Sequence, residues 1–173
     1  MNAAGWFAGL ALALATTGPV LAADSATATF KDTQGKEIGS ATLIQTPNGV
    51  LIDVDVSNLP EGEHAFHIHQ VGRCDPGDGF KSAGDHFAGR GLKHGFKTEG
   101  GPHAGDMMNQ FVASDGKLRA HVVNTRVTLG PGDGALFDAD GSALVVHAKG
   151  DDYSSQPAGN AGDRIACAEI ERS

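Results

Sequence analysis

Glu37-Ile38-Gly39-Ser40-Ala41-Thr42-Leu43-Ile44-Gln45-Thr46 runs into Pro47-Asn48-Gly49 and then into Val50-Leu51-Ile52-Asp53-Val54-Asp55-Val56. In the first run Ala41 and Leu43 alternate with Thr42 and Ile44. In the second, Val50, Ile52, Val54 and Val56 alternate with Leu51, Asp53 and Asp55. A period of two marks a strand with one wet face, and Asn-Gly between two such runs is a hairpin signal.

The flanking segments read the same way. In 25–31, Ala26, Ala28 and Phe30 alternate with Thr27 and Thr29, and Asp32-Thr33-Gln34-Gly35 turns the chain. Further strands are expected at 65–70, 110–113, 117–128, 143–148 and 165–170, with no sustained helical period between them. About eight strands separated by turn signals predict an all-β antiparallel sandwich or barrel. Two long loops interrupt the pattern, 71–109 and 149–163, and the first holds 10 glycines between Gly72 and Gly105. A loop of that length inside a small domain needs something to hold it.

A chain of 173 residues suits one domain with its own core. Residues 1–22 stand apart: Trp6 to Ala15 is apolar, Thr17-Gly18-Pro19 breaks the run, and Val20-Leu21-Ala22 offers small residues to a signal peptidase. The run is far shorter than the ~20 residues that span a bilayer, so a cleaved secretory signal is the reading, although no Lys or Arg precedes it. The domain is then 23–173, periplasmic or secreted, with no membrane partner after cleavage. Its formal net charge of −8 argues against nucleic acid as a partner. Cys74 and Cys167, the only cysteines, fit one disulfide of an exported protein, with soft metal ligation as the alternative. They lie 93 residues apart, and closing that loop would restrict the unfolded chain by about 4.5 kcal/mol on the entropic account, less any strain.

Histidine carries the chemistry. The chain has 8, and six of them (His64, His67, His69, His86, His94 and His103) fall within 64–103, where the chain's average predicts about two. His67 and His69, two apart on a strand, leave the same face, while Phe66 and Ile68 enter the other. His86, His94, His103 and Asp106 offer three nitrogens and one oxygen, a closed tetrahedral zinc set. His147, at the end of a distant strand, is a further nitrogen for the first ion.

Five segments carry a resemblance: His64-Ala65-Phe66-His67-Ile68-His69, Ser82-Ala83-Gly84-Asp85-His86-Phe87, Gly101-Pro102-His103-Ala104-Gly105-Asp106, Leu144-Val145-Val146-His147 and Gly159-Asn160-Ala161-Gly162-Asp163-Arg164-Ile165-Ala166-Cys167. In order and spacing they resemble the copper/zinc superoxide dismutase family, exported bacterial type. The resemblance implies an eight-stranded Greek-key sandwich or barrel with two functional loops. It implies copper on His67, His69, His86 and His147, and zinc on His86, His94, His103 and Asp106, with His86 as a bridging imidazolate. It further implies Arg164 as the guide for the anionic substrate superoxide, Asp151 as the carboxylate linking ligands of both metals, and a Cys74–Cys167 disulfide. Copper would cycle between two oxidation states while zinc structures the loop.

Other residues read more plainly. His64 matches a structural histidine of the family, His121 faces solvent, Met107 and Met108 pack a loop, and Arg164 has an ion pair with Asp163 or another acid as its alternative. Asp85 stands where the family commonly has Gly or Pro. The loop from Asp151 to Asp163 contains no Lys, which leaves Lys81, Lys93 and Lys97 as the substitutes for steering. A copper-buffering protein of the same fold would need the ligands without Arg164. A zinc hydrolase lacks a His-Glu-x-x-His base, and an immunoglobulin-like domain lacks its buried Trp, since Trp6 lies in the leader. The pattern does not locate an apolar dimer face, and a homodimer is compatible with it.

Overall fold

The structure is a computed structural model that describes residues 25–87 and 92–173. The expected leader, 1–22, and the start of the domain at 23 lie outside the described residues. Nine strands are present among them: β1 (Ser25–Asp32), β2 (Glu37–Thr46), β3 (Gly49–Val56), β4 (Gly62–His64), β5 (Phe66–His69), β6 (Gln110–Val112), β7 (Leu118–Asn124), β8 (Ala143–His147) and β9 (Arg164–Arg172). Seven form one antiparallel sheet in the order β5-β8-β9-β1-β2-β3-β7, and β4 pairs with β6. A turn at Ala113–Lys117 joins β6 to β7, and only Ala65 separates β4 from β5, so the short ribbon links the two ends of the curled sheet.

The β2–β3 hairpin has the expected register, Leu43 opposite Ile52 and Thr46 opposite Gly49. Its inner positions Ala41, Leu43, Val50, Ile52, Val54 and Val56 are all buried, and Ile44 on the other face is exposed. Gly49 shows why the turn is specified: its φ is +121°, and a Cβ there would run into the backbone of Asn124, which ends β7, and of Thr125 just beyond it. The strand count exceeds the expected eight by β4, too short and too polar to show a period. Strand β7 ends at Asn124, short of the expected 128, because Asn124 Oδ1 turns back to accept the Arg126 N–H at 2.9 Å.

Both faces of β8 are buried, unlike β2 and β3. Leu144 and Val146 join the main core with Phe30, Phe66, Ile68 and Ile52. Ala143 and Val145 face the other way, into a second cluster with Cys74, Phe80, Ala83 and Cys167. That second layer is supplied by the first long loop, pinned through the Cys74–Cys167 disulfide. The loop is not structureless: it contains two short 3-10 turns, Pro76–Asp78 and Lys81–Ala83.

Candidate metal centre

Directly opposed residues of an antiparallel pair share a face. His67 opposes Val145 and His69 opposes Ala143, so both rings leave β5 on the outer face already occupied by the disulfide cluster. Strand β5 ends the seven-stranded sheet, and the first loop pairs along its free edge. Ile68 N–H donates to Gly105 O at 2.9 Å and Phe87 N–H donates to Ile68 O at 2.8 Å. His86 is thereby set opposite His69, and Asp106 opposite His67. At the end of β8 the register shifts between Val146 and His147, bringing His147 beside Arg164 of β9.

Two groups of ligand atoms result: His67, His69, His86 and His147, and His86, His94, His103 and Asp106, each with its atoms within 4.8 Å of one another. His86 belongs to both. The partners of the remaining ring nitrogens decide which atoms point inward. A carbonyl only accepts, so His69 Nδ1, 2.9 Å from Gly84 O, carries the hydrogen, as does His147 Nδ1, 3.3 Å from Gly162 O. Their Nε2 atoms are left bare and face each other at 3.4 Å. His67 Nε2 donates to Asp151 Oδ2 at 2.9 Å, leaving Nδ1 bare.

In the second group, Asp106 Oδ1 lies 2.8 Å from His86 Nδ1, 3.1 Å from His94 Nδ1 and 3.4 Å from His103 Nδ1. Asp106 Oδ2 accepts the N–H groups of Gly95 at 2.8 Å and His103 at 3.0 Å. Among the described residues, three buried ring nitrogens, His67 Nδ1, His86 Nε2 and His103 Nδ1, have no hydrogen-bond partner. Orphaned buried polar atoms cost roughly 1–3 kcal/mol each. Bare nitrogens converging on two points, one of them shared with a carboxylate, fit two borderline divalent ions.

The electrostatics agree. Burial holds the His67 ring down to about 4, against opposition from Asp151, and holds His147 down to about 3. Burial also lowers His69 and His103, keeping those rings neutral, the form that ligates metal. Burial alone would lower His94 too, but hydrogen bonds to Asp106 and Asp151 outweigh it and raise the ring to about 9. Burial would raise Asp106 and Asp151. Asp106 is instead held well below the ordinary carboxylate range by His86, His94 and the Gly95 N–H, and Asp151 by His67, His94 and the Tyr153 N–H.

Asp151 joins the two groups: Oδ2 takes His67 Nε2–H and Oδ1 takes His94 Nε2–H at 3.0 Å. Asn109 fixes its backbone, accepting Asp151 N–H at 2.8 Å and donating to Asp151 O at 3.0 Å. Gly159 covers this carboxylate with φ +64°, and a Cβ there would overlap Asp151 Oδ1 and lie 2.8 Å from His94 Nε2. The sequence reading assigns no role to Asn109, and Gly159 enters it only as the first residue of a matching segment. A lone Asn in a loop carries no period or motif that could flag it, and a motif glycine does not show what it lies against.

His86, His103, His147 and Arg164, with Gln70, Asp85, Pro157, Ala158 and Gly162, line a cavity of about 390 Å³. Arg164 makes no ion pair with Asp163. It donates Nη1–H to Phe80 O at 2.5 Å and Nη2–H to Gly84 O at 2.6 Å. Burial lowers the guanidinium from its ordinary value, with Asp85 and then Asp78 opposing. None of Lys81, Lys93 and Lys97 lines the cavity; Lys97 instead donates to Asp152 O at 3.2 Å and lies over the Tyr153 ring. His64 is buried with its ring nitrogens 2.7 Å from His147 O and 2.9 Å from Pro60 O, a structural tie between β4 and β8. His121 is exposed beside Asp53; Met107 is buried in the main core, whereas Met108 is exposed and does not pack the loop as expected.

Residues 37–170 match the family model described as copper/zinc superoxide dismutase (SODC). Superoxide dismutase (Cu-Zn) 1 of Aquifex aeolicus is 52% identical over 140 residues, covering 80% of this chain and 82% of the relative. Superoxide dismutase (Cu-Zn) of Caulobacter vibrioides is 43% identical over 150 residues, covering 85% and 86%. Among solved structures, a SOD-like protein from Bacillus subtilis superposes with a TM-score of 0.78 at 33% identity, covering 83% of this chain and 96% of that one.

Proposed function

This chain belongs to the copper/zinc superoxide dismutase family, and from that premise we propose that it dismutates superoxide: two superoxide anions and two protons give one oxygen and one hydrogen peroxide. His67 Nδ1 and the Nε2 atoms of His69, His86 and His147 would hold copper. The Nδ1 atoms of His86, His94 and His103 with Asp106 Oδ1 would hold zinc. Bound there, copper supplies one-electron transfer in both directions and redox-inert zinc fixes the loop.

The observation that carries this reading is the shared ring. His86 presents Nδ1 to the second group, while its Nε2 is buried without a partner in the first. An imidazole offering both nitrogens would be suited to serve both ions at once, and its Nε2 would be the atom able to take and return a proton. Arg164, held by two carbonyls at the cavity wall beside His147, guides the anion. Asp151 orients His67 and His94 together, as carboxylate partners orient ligating imidazoles. The body carries a net charge of −8, but the local field at the mouth governs encounter with a small anion.

Residues 1–22 are read as a signal peptide that exports the domain 23–173 to the periplasm or beyond. A disulfide between Cys74 and Cys167 suits such a compartment. The test pairs metal content with superoxide turnover on one sample. Protein with one copper and one zinc per chain should destroy superoxide, and copper removal should abolish this. Arg164→Ala should lower kcat/KM and weaken its salt dependence with both metals retained. A doubly loaded sample without turnover would overturn the reading.

A further inference from the structure

The cavity over the two ligand groups is read above as the entrance for an anion, yet one of its walls is a carboxylate. Asp85 lines it with Arg164, and these two are the only formally charged side chains among the described residues that line it. Asp85 is exposed, and among the described residues no donor hydrogen-bonds its carboxylate. The main chain around it is fixed. Gly84 O accepts from both Arg164 Nη2–H and His69 Nδ1–H, Asp85 O accepts Gln70 N–H at 2.9 Å, and His86 follows at once. The carboxylate is therefore carried on a segment tied on one side to the guiding cation and on the other to the shared imidazole. Its field reaches Arg164 ahead of that of Asp78.

Resting on the function proposed above, we infer that Asp85 is a specificity-determining residue that selects for singly charged anions by lowering the potential of the mouth. The energy of an anion in a given potential scales with its charge. An added negative charge thus penalises a dianion twice as much as a monoanion, in free energy. Arg164 alone would attract sulfate-like oxyanions more strongly than superoxide. With Asp85 across the same cavity the attraction falls for both, and the square-law difference favours the monoanion. Exposure to solvent keeps each effect small, and high salt reduces it further.

The experiment uses the copper- and zinc-loaded protein and reads anion binding rather than turnover. Azide, a monoanion, is titrated by its effect on the copper absorption spectrum, and sulfate, a fixed dianion, by its competition with azide. Asp85→Asn should tighten azide by about threefold and sulfate by about tenfold, close to the square, at low ionic strength. Asp85→Glu, which keeps the charge, should bind both as the wild type does. Equal changes for the two anions, no change for either, or an Asp85→Glu shift as large as that of Asp85→Asn would each overturn the inference. Arg164→Ala, measured alongside, separates the two readings. If it weakens both anions while Asp85→Asn leaves their ratio unchanged, only the role of Asp85 falls. If Arg164→Ala changes neither, the anion-guiding mouth itself is refuted, and the inference with it.

Discussion

His67 and Asp151 are 84 positions apart in the chain, and their side chains meet fully buried, Nε2 to Oδ2 at 2.9 Å. The same carboxylate reaches His94 with its other oxygen. One residue of the second loop therefore sets the ring of one ligand group and the ring of the other. Asp151→Ala leaves two buried N–H donors without acceptors, and both rings lose the group that fixes their orientation. Zinc affinity should fall by about 10–100-fold, the range seen when such partners are removed. Each group keeps three untouched members and loses the orientation of one ring, so copper affinity should fall over a similar range. Chelator competition on each metal separately checks both losses, and an unchanged affinity for either metal would contradict them.

Gly159 gives a steric version of the same test. Its φ of +64° disfavours any side chain, and a Cβ would overlap Asp151 Oδ1. Gly159→Ala should destabilise the protein by about 1–3 kcal/mol for the backbone alone. It should also displace Asp151 from His94, so zinc affinity falls although no ligand has changed. Thermal unfolding with and without zinc separates the two effects. A variant with wild-type zinc affinity would show that the loop can yield.

Strands and the candidate ligand groups were legible in the sequence for opposite reasons. The β2–β3 hairpin has one wet face, so the alternation of Leu43 and Ile52 with Thr42 and Asp53 shows directly. His67, His69, His86, His94 and His103 belong to a residue type sparse in the rest of the chain, gathered here into one span with Asp106, and the structure brings them together. What escaped is carried by backbone or by isolated small residues. Arg164 is held by the carbonyls of Phe80 and Gly84, and a carbonyl looks alike in every residue. Strand β4 is three residues of which one is Gly62, too few for a period. The burial of both faces of β8 needs the disulfide cluster above it, which becomes visible only when Cys74 meets Cys167.

That cluster links the disulfide to the mouth. Phe80 is fully buried with Cys74 and Cys167, and its carbonyl receives Arg164 Nη1–H. The double substitution Cys74→Ser with Cys167→Ser should cost about 2–5 kcal/mol of stability. It should also release the segment carrying Phe80 and Gly84, so Arg164 loses both acceptors. At a temperature where the variant is still folded, kcat/KM for superoxide should drop with copper and zinc still bound. Unchanged turnover in a folded, metal-replete variant would show that the carbonyls stay in place without the bridge.

The metal-free protein should be most stable near pH 6.5, with stability falling on both sides. Burial depresses His67 to about 4 and His147 to about 3, so below the ordinary imidazole value the unfolded chain binds protons that the folded chain refuses. Stability then drops as pH falls from about 6.5 toward 4. His94 behaves in the opposite sense. Despite burial, Asp106 and Asp151 raise it to about 9, so the folded chain keeps a proton that the unfolded chain has lost, and that stabilisation disappears as pH rises from about 6.5 through 9. Zinc held by His94 would need its Nδ1 without a proton, so loading should abolish the alkaline decline. Calorimetric unfolding from pH 5 to 9 at constant ionic strength checks both arms. Isothermal titration of zinc at pH 7.5 in buffers of different ionisation enthalpy should detect the released proton. A metal-free melting temperature still climbing between pH 7 and 9 would contradict the two-carboxylate hold on His94.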